Sequence, residues 1–252
     1  MELSDLKNKT ILITGSAKRI GREIAIALAE YSPKLILHYR NSEKEILELL
    51  ETVKKYNNDS YKIQCDFFKE DQIQNFIKHI EKEKIDILIN SASVFPLNDN
   101  WENFHMAFFN KIIKVNLFIP LLLIKKCFES SDSGIVINFI DASLNLNSPN
   151  HFVYQLSKYS LEKATKILAK KLAPKIRING IAPGAILPPA QLAEDNTIQE
   201  MYDYDEFFKK KLNSIPLRIP GNPTYIIKTI KFIIENDFLT GAIIPVDGGE
   251  YL

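Results

Sequence analysis

The chain has 252 residues, long enough for one large α/β domain with a continuous core. Its 32 basic and 31 acidic residues leave a formal charge of +1, which excludes a whole-protein field for nucleic acid or an anionic membrane, so any anion preference must be local. Cys65 and Cys127 lack metal-knuckle spacing and read as reduced core thiols. Residues 1–10 lack a secretory h-region, and the apolar run 117–124 is too short for a bilayer, so a soluble cytoplasmic protein without a metal is expected.

In chain order, β-branched runs at residues 10–14, 34–39, 61–65, 85–89, 134–139, 177–181 and 242–246 read as strands, with amphipathic helices between them. This alternation implies right-handed crossovers. The expected fold class is therefore α/β: a single doubly wound Rossmann domain over residues 1–252, its parallel seven-stranded sheet covered by helices on both faces. The runs starting at Ile11, Ile87 and Ile135 are apolar on both faces, as strands between two helical layers must be.

After the first strand come Thr14, Gly15, Ser16, Ala17, Lys18, Arg19, Ile20 and Gly21, then a helix through Glu23, Ile24, Ala27 and Leu28. Gly15 permits a tight turn, Gly21 lets helix and strand approach closely, and the helix N-terminus offers N–H groups to a pyrophosphate. The second strand ends in His38, Tyr39, Arg40, Asn41 and Ser42, with no carboxylate to receive a ribose 2′-hydroxyl. Arg40 and Lys18, with Asn41 and Ser42, suit a 2′-phosphate instead, so NADP(H) is expected over NAD(H). The alternative for the two cations is solvated surface charge.

Further along, Asn90, Ser91 and Ala92 follow the fourth strand, Asn116 lies in the next helix, and Asp141 follows the fifth strand. Tyr154 and Lys158 then sit at i and i+4 on one helix face. An ammonium beside a phenol, together with a nicotinamide ring, favours the phenolate and makes Tyr154 a general acid–base candidate. All these positions collect at the carboxyl ends of strands, where doubly wound sheets bind ligands. Residues 182–221 carry five prolines and no clear strand, apart from a helical pattern at 203–212; a substrate loop is expected at 185–217, with an ordinary surface excursion as the alternative.

These motifs, with Phe238 to Gly241 and Val246 to Gly249 near the C-terminus, resemble the short-chain dehydrogenase/reductase family over nearly the whole chain. The resemblance implies that Asn116 holds a water in a proton relay from Lys158. It further implies that Asp66 meets the adenine, and that Asn90, Ser91, Ala92, Pro183 and Gly184 line the cofactor along with the glycine turn, Tyr39, Tyr154 and Lys158. Arg19 occupies the place of the family's middle glycine, and Ser91 and Ser93 depart from its Asn-Asn-Ala-Gly signature.

A serine usually stands about a dozen residues before the family's tyrosine; here that place, 13 residues before Tyr154, holds Asp141. An ionised carboxylate only accepts hydrogen bonds and repels a developing oxyanion, which favours a substrate with N–H groups or a protonatable C=N bond over a simple ketone. With the Lys18-Arg19 turn, His38, Tyr39 and the Asn90 to Phe95 segment, Asp141 resembles the pteridine reductase branch. That resemblance implies a pterin, dihydropterin or dihydrofolate-type substrate held by Arg19, Ser93, Phe95, Asp141 and Tyr154. Local alternatives stay open: Phe95 packing its loop, Ser93 capping a turn, Asp141 accepting loop amides, and Ser143 replacing the usual serine. The competing functions are reduction of a ketone or 3-oxoacyl thioester and an inactive nucleotide-binding homologue. A homotetramer is expected from the family.

Overall fold

The computed structural model describes residues 1–96, 98–146, 150–192, 198–200 and 202–252, without the side chains of residues 145, 191–192 and 198–200. Strands β1 (Thr10–Thr14), β2 (Lys34–Tyr39), β3 (Tyr61–Gln64), β4 (Ile87–Asn90), β5 (Gly134–Phe139), β6 (Ile176–Pro183) and β9 (Ile243–Val246) form one sheet in the order β3-β2-β1-β4-β5-β6-β9. Every neighbouring pair in it is parallel. The order reverses at β1, so the cleft outside the carboxyl ends of β1 and β4 is the topological switch point.

Helices α1 (Arg19–Ala29), α2 (Glu43–Lys54) and α8 (Pro223–Glu235) cover one face of the sheet, while α3 (Glu70–Ile80), α4 (Met106–Ile113), α5 (Ile119–Phe128) and α6 (Phe152–Leu172) cover the other. Alternation along β1 shows why both layers are needed. Ile11 and Ile13 pack with Ile24, Leu28 and Leu49, whereas Leu12 packs with Ile73, Leu123 and Val136. Burying both sides of each strand supplies the dominant favourable term in folding. Cys65 and Cys127 are free and buried, and burial pushes both thiols up to about 12.

Some expected boundaries move. The third, fourth, sixth and last strands, read as 61–65, 85–89, 177–181 and 242–246, run instead over Tyr61–Gln64, Ile87–Asn90, Ile176–Pro183 and Ile243–Val246. Pro183 closes β6 rather than following it. The long proline-containing stretch contains a short antiparallel pair, β7 (Ala190–Leu192) and β8 (Ile198–Glu200), then α7 (Tyr204–Lys211), whose N-cap Asp203 accepts from the Glu206 N–H. Residues 193–197 and 201 of the expected substrate loop lie outside the described residues.

Residues Met106–Phe128 form a continuous helical rod, long and apolar enough by length and composition to cross a membrane. Ile112, Leu123 and Ile124 on this rod are buried in the core beneath the sheet. Its middle, Lys114–Phe118, winds as a π-helical turn. Pro120 contributes to that irregularity because it has no N–H to give to the Asn116 carbonyl four residues earlier.

Candidate active site

At the end of β1 the chain turns at Gly15, with φ of +68°; a Cβ there would come within 2.9 Å of Ala92 Cα. A Cβ on Gly21 would lie 2.3 Å from the Gly15 carbonyl oxygen, so α1 can approach β1 only with glycine at this position. Arg19 has φ of +54°, a left-handed backbone of the kind that favours glycine. A residue with a Cβ in that region costs on the order of 1–2 kcal/mol, which marks a position where the turn's geometry matters more than local stability. No side chain caps α1, so its first N–H groups remain available to an anion.

His38, buried at the end of β2, holds this turn. Its Nδ1 accepts the Gly15 N–H at 3.1 Å, which assigns the ring proton to Nε2, donating to the Cys65 carbonyl at 3.0 Å. Phe67 stacks on the ring at 4.2 Å, and burial lowers the imidazole from 6.5 to about 4. The unfolded chain therefore binds a proton near pH 6.5 that the native state refuses. Stability from this group is fully present above pH 6.5 and is lost as pH falls toward 4, by about 3 kcal/mol in all. Urea denaturation across that window should show the loss, and a His38→Gln variant should lack this part of the slope.

At the carboxyl end of β2, Arg40 and Asp66 come together, the carboxylate opposing the lowering of the guanidinium by burial. The Phe68 N–H donates to Asp66 Oδ1 at 3.0 Å. Ser42 is the N-cap of α2 and Asn41 is exposed beside it. Two predicted contacts are directed elsewhere. Lys18 pairs with Glu45 of α2 at 2.8 Å. The Tyr39 hydroxyl donates to Glu43 and accepts from Lys62 Nζ at 3.1 Å, while its ring packs in the core. The glycine cradle, the uncapped α1 and the cationic end of β2 fit NADP(H); Asp66 reaches that end from the β3 side, with Glu43 and Glu45 of α2 also nearby.

Thr14 ties the turn to the next strand end, its Oγ1 accepting from the N–H groups of Ser91 at 3.1 Å and Ala92 at 3.0 Å. Asn90, buried, donates to Asn138 Oδ1 at 2.9 Å and thereby joins β4 to β5. Asn116 is buried with both ends of its amide used: Oδ1 accepts from Ser93 Oγ at 3.1 Å and the Val94 N–H at 2.8 Å, and Nδ2 donates to the Val94 carbonyl and Ser157 Oγ. Its side chain therefore holds the β4–α4 loop against α6.

The Tyr154 hydroxyl donates to Asp141 Oδ2 at 2.7 Å, and Asp141 Oδ1 accepts from the N–H and Oγ of Ser143 at 2.8 and 2.6 Å. Burial, then the Asp141 charge, raise the phenol well above its ordinary value, against the phenolate expected from the lysine and a nicotinamide ring together. Lys158 Nζ donates to the Phe139 carbonyl at 2.8 Å and stands 5.8 Å from the centre of the Tyr154 ring. Burial brings its ammonium down to about 8, opposed by Asp141. Phe95, half-buried, packs against His151 at 4.2 Å and meets the Tyr154 ring edge-on at 4.8 Å.

Sequence reasoning missed Asp99. This buried carboxylate accepts from the N–H groups of Val153 at 2.8 Å and Tyr154 at 2.7 Å, and the Asp99 carbonyl accepts from His151 at 2.7 Å. It takes the role of N-cap for α6, whose own N-cap, His151, has a left-handed backbone and makes no side-chain cap bond. No local signal marks it, because 55 residues separate Asp99 from Tyr154. On the opposite side of the cleft Arg19 donates to the Pro188 carbonyl, joining the glycine turn to the 185–217 segment, and the Gly184 N–H donates to Val246 at 3.0 Å.

A dinucleotide cradle facing a buried tyrosine and lysine and a half-buried carboxylate defines an oxidoreductase site on a doubly wound sheet. A short-chain dehydrogenase model described as enoyl-(acyl carrier protein) reductase matches residues 15–250, and the chain belongs to the short-chain dehydrogenase/reductase family. It is similar to 3-oxoacyl-(acyl-carrier-protein) reductase FabG of Staphylococcus epidermidis, 28% identical over 261 residues spanning 97% of this chain and 100% of that one. Among solved structures it is similar to FolM alternative dihydrofolate reductase 1 from Brucella canis, complexed with NADP. The identity there is 29%, the TM-score 0.84, and the match covers 98% of this chain and 96% of the other. The same protein from Brucella suis, also with NADP, matches equally.

Proposed function

We propose that this short-chain oxidoreductase uses NADPH to reduce a pterin, dihydropterin or dihydrofolate-type heterocycle. The observation that carries the reading is the Tyr154 to Asp141 hydrogen bond of 2.7 Å: a carboxylate, not a hydroxyl, stands beside the phenol. An Asp141 oxygen accepts from ring or amino N–H groups, whereas it repels the oxyanion that forms at a reduced ketone. The likeness to FolM alternative dihydrofolate reductase 1 from the two Brucella species, in complex with NADP, supports the same class of substrate.

NADPH, when bound, supplies the hydride. The protein supplies the proton and the grip. Tyr154 keeps its proton because burial and Asp141 hold the phenol neutral, and it releases that proton to a ring nitrogen. Asp141 anchors an N–H edge, and the half-buried Phe95 offers an aromatic face to a flat ring. Lys158 sits beneath the Tyr154 ring as a cation that stabilises the phenolate left behind. Asn116 positions Ser93 and α6 around the substrate. Arg19 couples the cofactor turn to residues 185–217, the segment assigned to cover the substrate.

Reduction of a 3-oxoacyl thioester is the second reading, favoured by the Staphylococcus relative. It requires a hydroxyl donor in place of the usual serine, and the Ser143 hydroxyl instead donates to Asp141. Steady-state NADPH oxidation with dihydrobiopterin, dihydrofolate and acetoacetyl thioester separates the two. A kcat/KM at least about tenfold higher for a pterin is expected. Turnover of the thioester with none of either pterin would overturn the reading.

A further inference from the structure

The Asp141 carboxylate is divided unequally among its donors. Among the described residues, Oδ1 accepts twice, from the Ser143 N–H at 2.8 Å and the Ser143 hydroxyl at 2.6 Å, whereas Oδ2 accepts once, from the Tyr154 hydroxyl at 2.7 Å. Each carboxylate oxygen has about two lone pairs, so Oδ1 is filled and Oδ2 keeps one. The Ser143 N–H by itself closes the turn that leads from β5 into Ala142–Leu146, since an aspartate commonly accepts from the amide two residues on. The hydroxyl is an additional donor, and its partner is a carboxylate, which makes this one of the stronger kinds of hydrogen bond.

We propose that Ser143 is a positioning residue: its hydroxyl occupies Oδ1, fixes the carboxylate with Oδ2 against the Tyr154 phenol, and leaves Oδ2 as the acceptor for a substrate donor group. The inference rests on the reading of Asp141 as the partner of a substrate N–H and of Tyr154 as the proton donor. The phenol and the substrate donor then meet on one oxygen. The substrate atom that takes the Tyr154 proton and the group that Asp141 holds must therefore both lie within reach of Oδ2. A simple ketone offers no such donor and engages only the phenol, so Ser143 sharpens the preference for a nitrogen heterocycle over a carbonyl.

Kinetics and binding on the full chain test this with Ser143→Ala, Ser143→Thr and Ser143→Ala in an Asp141→Ala background. Loss of the hydroxyl should lower kcat/KM for dihydrobiopterin about tenfold and weaken its Kd in the NADP⁺ complex by a similar factor, the scale of a hydrogen bond to a charged group, with NADPH affinity unchanged. Ser143→Thr keeps the hydroxyl and should stay near the wild type. In the Asp141→Ala background the same change should add little, because the hydroxyl acts through the carboxylate, a non-additivity that a merely structural serine would not show. The Kd needs no turnover and serves even where the double variant is inactive. Should Ser143→Ala fail to fold, Ser143→Cys replaces it, its weaker thiol donor giving a smaller loss in the same direction. No loss with Ser143→Ala, no recovery in a folded threonine variant, or an equal loss without Asp141 would overturn the inference. A wild type that reduces acetoacetyl thioester and neither dihydrobiopterin nor dihydrofolate would overturn the reading beneath it, a result distinct from the failure of Ser143 alone.

Discussion

Replacing Tyr154 with phenylalanine is expected to lower kcat for NADPH-dependent reduction by roughly 10²- to 10⁴-fold, the usual contribution of a positioned general acid, with NADPH affinity nearly unchanged. The ring stays, and with it the edge-on contact to Phe95 at 4.8 Å. Only the hydroxyl is lost. Asp141 keeps both bonds from Ser143, so the carboxylate is not stranded and the fold should survive. Steady-state kinetics and a fluorescence titration of NADPH measure the two quantities separately.

The pH profile adds a second check. Lys158 is charged below about 8 and neutral above it, so the wild-type rate should fall as pH rises through that value, when the cation beside Tyr154 is lost. In the phenylalanine variant the phenolate no longer forms and this dependence should vanish. Unchanged turnover with saturating substrate would mean that another group delivers the proton.

An Asp141→Ser substitution is expected to reduce kcat/KM for dihydropterin by about 10- to 100-fold, the scale of a lost hydrogen bond to a charged group, and to raise reduction of acetoacetyl thioester. Serine donates where aspartate only accepts, so the site would exchange an N–H partner for a carbonyl partner. The charge change also has a sign. Asp141 raises both Lys158 and Tyr154, so its removal should move the alkaline fall of the rate to lower pH and bring the phenol toward its ordinary value. If Asp141 is only an acceptor for loop amides, the variant would lose stability and all activities together; rate profiles for both substrates, taken alongside urea denaturation, distinguish that outcome.

Much of the scaffold was legible because its signals are local. Strands β1, β2 and β5 have the limits read from their apolar runs. The glycine turn, the i, i+4 spacing of Tyr154 and Lys158 and the interval to Asp141 likewise depend only on near neighbours. Strand β4 shows where apolar runs mislead. Ile85 and Asp86 precede it, with Asp86 accepting the Thr10 N–H at 2.9 Å, while the polar Asn90 belongs to the strand because it registers with Thr14 and Asn138. Strand ends follow cross-strand partners that an apolar run does not contain.

Arg19 illustrates a further gap. A missing glycine reads as a weaker turn, yet the backbone keeps φ of +54° because the surrounding structure holds it there. The sequence by itself determined the doubly wound order of elements, the place of the cleft and the anomaly of an aspartate before the tyrosine. Only the tertiary structure decided the geometry of that anomaly, with Tyr154 donating to Asp141 and kept protonated by burial and by that carboxylate, and Asp99 capping the helix that carries Tyr154. It also directed Lys18 to Glu45 and the Tyr39 hydroxyl to Glu43. Long charged side chains reach many partners from one position, and the choice among them depends on residues that only folding brings near.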